Sequence, residues 1–249
     1  MKKILPFILM LTLIAAHALA DPLPLKEDYA NAVRIQFDES DPSAGSFEYS
    51  YRYPHADESA EGGMAISTFY QNLSEYLETF TIPMDQQNAV EGENAVTTVD
   101  YEVTCNNDSF FSVLIRKKRV SADRSGTIWE AHVFSRKHSN PDNTYTLPKL
   151  LDMLSAEESD EWLQDRQTRK ANTLIREMVW DMMQENAAGI AYYDDYLEEY
   201  LEEDFEPEQD YYLDENGDPV FFINPGCAAP ESAGLLIFPI PLEDILDEL

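Results

Sequence analysis

Between Val96 and Ser135 the chain holds three β-rich runs, the first alternating Thr, Val and Tyr with its other residues, with turn residues between them. The runs are Val96 to Cys105, Phe110 to Val120 and Thr127 to Ser135. Asn106-Asn107-Asp108 separates the first two, and Ser125-Gly126 precedes the third. A period of two sends successive side chains to opposite faces of a strand. Connections this short join neighbours that run antiparallel. A three-stranded meander is therefore the frame on which the rest must pack.

Two shorter segments before it, Ala32 to Phe37 and Phe47 to Tyr53, alternate in the same way. Met64 to Phe80 reads instead as a helix. Ile66, Phe69, Tyr70, Leu73, Tyr76, Leu77 and Phe80 recur at three- and four-residue spacing. Pro83 is expected to stop it, with residues 84–94 as a loop. After the meander come a turn at 138–143, a short strand at Tyr145-Thr146-Leu147 and a capping box, Ser155 with Glu158. Leu174, Ile175, Met178, Val179 and Met182 share one helix face, and Gly189 marks its end. A further helix is expected over Ile190 to Asp204, with Tyr193, Tyr196, Leu197, Tyr200 and Leu201 inward and Pro207 ending it. Tyr211 to Leu213 and Val220 to Ile223 flank Asn216-Gly217, a hairpin signal. Leu235 to Ile240 is a last strand. The expected fold class is α+β, with antiparallel sheets packed on helices. Residues 21–146 form one half and residues 147–249 an acidic second half of a continuous globular unit.

Residues 1–20 read as a signal peptide. Lys2 and Lys3 precede the apolar stretch Ile4 to Ala16, and Ala18-Leu19-Ala20 is a small-x-small cleavage site. Export to the periplasm or the exterior is the expectation, with no membrane span left after cleavage at Asp21. No later stretch reaches the roughly 20 apolar residues that a span needs.

Charge limits the partners. The full chain carries −31, with 17 Lys and Arg against 48 Asp and Glu. It is also 44% hydrophobic and 12% aromatic, which is too apolar for a disordered acidic tail. Nucleic acid and anionic lipid would be repelled. Residues 177–249 hold 21 Asp and Glu and no Lys, Arg or His. On the expected helix, Asp194–Glu198, Asp195–Glu199, Glu198–Glu202 and Glu199–Glu203 are like-charge pairs at four-residue spacing. Three offsets are open: internal pairing with Arg116-Lys117-Lys118-Arg119 or with Arg166, Arg169 and Lys170; a cationic partner; or a divalent ion. A merely solvated acidic face is the plain alternative. The six carboxylates Asp194, Asp195, Glu198, Glu199, Glu202 and Glu203 are the candidate binding residues.

Little points to catalysis or metal. Asp214, Asn216 and Asp218 begin like a calcium loop, but Pro219 and Pro225 stand where it needs glycine and a carboxylate. The hairpin turn is the better reading. His55, His132 and His138 are scattered, and HExxH, CxxC and GxSxG do not occur. Ser109 and Ser112 near His132 could imitate a nucleophile and base, a weak pattern because serine is common. No cofactor and no enzymatic activity are expected. Cys105 and Cys227 are expected to form one disulfide in an oxidising compartment, with two separate buried thiols as the alternative. Closing a loop of roughly 120 residues, the disulfide would contribute about 4 to 5 kcal/mol at most.

The ordered segments resemble the extracellular domain of RsiV-type anti-sigma factors, which recurs in the non-catalytic part of PdaC-type peptidoglycan deacetylases. The resembling residues form two blocks. The first runs from Tyr53-Pro54 through Met64 to Phe80 to Tyr101-Glu102-Val103, Phe111-Ser112-Val113 and Glu130-Ala131-His132. The second runs from Leu147-Pro148-Lys149-Leu150-Leu151 to Tyr211-Tyr212-Leu213-Asp214, Val220-Phe221-Phe222, Ala233-Gly234 and Phe238-Pro239-Ile240-Pro241-Leu242. The resemblance implies an α+β fold of curved strands against helices. It also implies binding of lysozyme, a very basic protein, by a stand-alone domain at the bacterial cell envelope. An acidic structural protein of the envelope without a ligand, and a hydrolase, are the other expectations.

Overall fold

The computed structural model describes residues 21–38, 40–89, 92–121, 125–138, 161–193 and 196–249. The expected signal peptide, the strand at Tyr145–Leu147, the capping box at Ser155, and Asp194 and Asp195 lie outside the described residues.

The strands are β1 (Tyr29–Gln36), β2 (Ser46–Tyr53), β3 (Asn94–Asn106), β4 (Phe110–Val120), β5 (Ser125–Ser135), β6 (Tyr211–Leu213), β7 (Pro219–Ile223) and β8 (Leu236–Pro239). The helices are α1 (Gly63–Tyr76), α2 (Ile82–Gln87), α3 (Glu161–Glu185), α4 (Leu197–Glu203) and α5 (Leu242–Glu248). β1 to β5 form one sheet in chain order, and β6-β7-β8 form a second. The meander is present as expected: β3, β4 and β5 pair antiparallel, and so do β1 and β2. The β2–β3 pair, however, is parallel. The first sheet is therefore mixed rather than antiparallel. The reason is the helical crossover between these strands, which returns the chain to the edge where β2 began.

That crossover also corrects the expected helix end. Pro83 does not stop it. A π-turn at Leu77–Thr81 follows α1, and Pro83 sits in the first turn of α2, where a missing N–H breaks no helical bond. The wider turn shifts the helical register by about one residue. Ile82, five residues after the buried Leu77, is consequently buried too, while Tyr76 and Phe80, both expected inward, face solvent.

Two cores result. Phe47, Tyr49, Tyr51 and Tyr53 of β2 pack with Ile66 and Tyr70 of α1 and with Phe111, Val113 and Phe134 of the meander. The second core joins Ile175 and Val179 of α3, Leu197 and Leu201 of α4, Phe221 and Ile223 of β7, Phe238 of β8 and Ile245 of α5. A bulge in β3 between Val103 and Cys105 turns Cys105 into this second core. Polar side chains lock the two sheets together. The buried Ser112 hydroxyl accepts hydrogen bonds from Leu213 N and Thr104 Oγ1, each 3.0 Å. The Asn224 amide pairs with Trp129 of edge strand β5 as a strand would. Its Oδ1 accepts from Trp129 N at 2.6 Å and its Nδ2 donates to Trp129 O at 3.1 Å.

The Asn216-Gly217 hairpin is as expected, since β6 and β7 pair antiparallel. Its turn is held by Asp214, whose Oδ1 accepts from Asn216 N and Asp218 N at 2.8 and 3.0 Å. The carboxylate expected to begin a calcium loop is thus used as a turn clasp. The helix expected from Ile190 begins only at Leu197, and Tyr193 and Tyr196 are exposed rather than inward.

Candidate functional site

α4 is short and uncapped, and it is held by what it buries. Leu197, Tyr200 and Leu201 enter the second core. Three apolar contacts at this spacing fix which side faces water. Glu198, Glu199, Glu202 and Glu203 are all exposed. The end of the helix is secured from α3, where Arg176 Nη2 and Nε donate to Phe205 O at 2.8 and 3.3 Å. Tyr196 donates its hydroxyl to Asp204 Oδ2 at 2.7 Å.

Between α3 and α4 lies an open groove of about 520 Å³. Thr173, Arg176, Glu177, Trp180 and Asp181 line it from α3, and Glu198, Leu201 and Glu202 from α4. Four carboxylates thus face one guanidinium, beside an indole. The α3 contributors were missed in the sequence, where that helix was read for its apolar side and for Arg166, Arg169 and Lys170. The available signal was the spacing of four that places Thr173, Glu177 and Asp181 on one side, next to Arg176 and Trp180.

Arg116 of the middle-strand basic cluster is engaged away from this face. Ion pairs among the described residues join Lys26 to Asp57 and Glu58, Arg34 to Glu48, and Arg52 and Arg116 to Asp100. None of these pairs reaches a carboxylate of residues 177–249. Arg116 also stacks on Trp129, 5.8 Å from the ring centre. Lys170 Nζ donates to the carbonyls of Glu248 and Leu249, at the end of α5 where a cation suits the helix dipole.

Next to α4, burial pushes the Asp210 carboxyl up to about 6, and Glu206 nearby adds to the rise. Its Oδ2 accepts from Glu206 N at 3.1 Å. The disulfide expected between Cys105 and Cys227 is not formed; both are free thiols. Their partners differ. Cys105 Sγ accepts from Asn107 Nδ2 at 3.3 Å, and burial pushes this thiol up to about 11. Cys227 lies against Tyr200, and burial raises its thiol as well.

His132 is buried, with the rings of Phe69, Tyr70 and Phe134 closing on that part of the core. Its Nε2 is 2.9 Å from Glu130 Oε1 and its Nδ1 is 3.2 Å from the Tyr70 hydroxyl. A carboxylate only accepts, so Nε2 carries hydrogen and Nδ1 takes the Tyr70 proton in the neutral ring. Bonding to His132 holds the Glu130 carboxyl below its usual range. Ser112 bonds the second sheet, and Asn107 Oδ1 accepts from Ser109 N at 2.9 Å. Neither serine is placed against His132 by these bonds. No group of His, Cys, Asp and Glu among the described residues is arranged to hold a metal. No described helix is long and apolar enough to cross a membrane.

The class defined by these features is an α+β domain with a mixed five-stranded sheet, a three-stranded antiparallel sheet and an acidic helical face. Residues 160–243 match the family model described as "Protein of unknown function (DUF3298)". The groove lies wholly inside that segment. A DUF3298-family protein from Pseudomonas aeruginosa PAO1 has a similar structure, with a TM-score of 0.52 at 12% identity, over 92% of this chain and 94% of that one. A member from Bacteroides fragilis NCTC 9343 gives 0.49 at 11% identity, over 90% and 93%. At such identities the likeness concerns fold alone. No curated protein matches the chain in sequence.

Proposed function

We propose that this chain is an exported, non-catalytic binding domain of the bacterial cell envelope whose acidic face receives a cationic protein. One observation carries this reading. The α4 carboxylates point to water, and the ion pairs of Lys26, Arg34, Arg52 and Arg116 all lie outside residues 177–249. Like charges on a seven-residue helix repel one another, the single guanidinium of Arg176 does not balance the four carboxylates lining the groove, and a basic partner relieves that repulsion. The groove adds shape to charge, because Trp180 gives a lysine or arginine an aromatic face between carboxylates. The resemblance to RsiV-type and PdaC-type domains makes lysozyme the first probe. Immobilised protein should bind purified lysozyme at low salt and release it as salt rises past the physiological range. Absence of binding at low salt removes lysozyme as the partner. Binding that salt does not weaken removes the electrostatic basis of the proposal.

A further inference from the structure

The crossover between β2 and β3 buries one side and leaves the other unused. Ile66, Tyr70, Leu77 and Ile82 pack into the first core. Tyr76, Phe80 and Met84, spaced four apart across the π-turn, are 58%, 60% and 57% exposed. The Tyr76 and Phe80 rings lie against each other, 5.3 Å between centres. Single exposed apolar side chains are ordinary; successive large ones on a helix whose other side already fills a core are not. π-turns, moreover, recur at functional places in helices.

Charge identifies the kind of partner. Residues 56–115 contain no Lys, Arg or His. Glu75 precedes Tyr76 and Asp85 follows Met84, while Glu78 is engaged by Asn31 Nδ2 and the Tyr51 hydroxyl at 2.6 and 2.8 Å. A second copy of so acidic a chain is repelled, and so is an anionic membrane. A basic polypeptide with apolar side chains complements both the rings and the acids beside them. We infer that the outer side of the α1–α2 crossover is a docking face for a basic amphipathic segment of another protein, with Tyr76 and Phe80 as anchors. The face lies outside residues 160–243 and uses none of the α4 carboxylates. It therefore stands or falls separately from the proposed acidic site.

Fluorescence anisotropy with a labelled helical peptide of alternating Lys and Leu pairs tests it, against a lysine-only peptide of equal charge. Tyr76→Ser with Phe80→Ser should weaken the Lys–Leu peptide about tenfold and leave the lysine-only peptide unchanged. Glu198→Gln with Glu202→Gln should leave that tenfold difference intact. Equal affinity of wild type and the ring variant for the Lys–Leu peptide overturns the inference. A wild-type dimer that the ring variant dissociates, or phosphatidylcholine vesicle binding that it abolishes, overturns it in favour of another occupant. Both rings are mostly in solvent, so the variant should keep its circular dichroism. If it unfolds, Phe80→Ser alone is read by the same criterion.

Discussion

Asp210→Asn should make the protein more stable at neutral pH, and the gain should shrink on acidification. In the folded chain burial lifts this carboxyl from 3.8 to about 6. The sign follows from linkage. The neutral form is favoured by folding, so the group's contribution is fully present below about 4 and is lost as pH rises through about 6. At pH 7 the fold therefore carries a half-buried charge near Glu206 that the unfolded chain would hydrate. The full rise corresponds to about 3 kcal/mol, and partial contact with water brings the expected gain to about 1–2 kcal/mol. Asparagine keeps the shape and can still accept from Glu206 N, so little packing is lost. For a chain of this size that gain is about 3–6 °C in the thermal midpoint. Urea unfolding of both proteins at pH 8, 7, 6 and 5 measures it, and the gap should be roughly halved by pH 5. A variant less stable than wild type at pH 7, or a gap independent of pH, would refute burial as the cause.

Three further outcomes are expected. Gly63→Ala should destabilise by about 2–3 kcal/mol in chemical denaturation, because its Cβ would stand 1.9 Å from the Asp57 carbonyl oxygen. Ser112→Ala leaves Leu213 N without its acceptor between the sheets, so about 1–3 kcal/mol should be lost while circular dichroism is kept. Both cysteines should alkylate without prior reduction, Cys227 ahead of the more buried Cys105, and slowly at pH 7 because burial raises both thiols; mass spectrometry reads the order.

The strands were legible because period two and turn residues act locally. The β3–β4 and β6–β7 turns were read from Asn107 and Gly217, whereas Ser125 and Gly126, expected as a turn, are the first paired residues of β5. What escaped depends on distant parts of the chain. The parallel β2–β3 pairing follows from where the crossover returns, which side-chain spacing does not encode. Pro83 is as compatible with a first helical turn as with a helix end, and the π-turn that decides between them has no sequence signature in Leu77–Thr81. α5 was passed over although Leu242, Ile245, Leu246 and Leu249 have helical spacing after Pro241. The acidic site was half visible. Glu198, Glu199, Glu202 and Glu203 were evident from charge alone, whereas Arg176, Trp180 and Asp181 belong to it only because α3 passes beside α4.

Recognition of a cationic partner requires α4 carboxylates that remain free to attract. Stopped-flow association of lysozyme with wild type and with the variant carrying Gln at 198, 199, 202 and 203 measures this most directly. At low ionic strength the variant should associate about tenfold more slowly, with the difference closing as salt rises. Equal association rates at low salt would mean that these side chains draw in no partner.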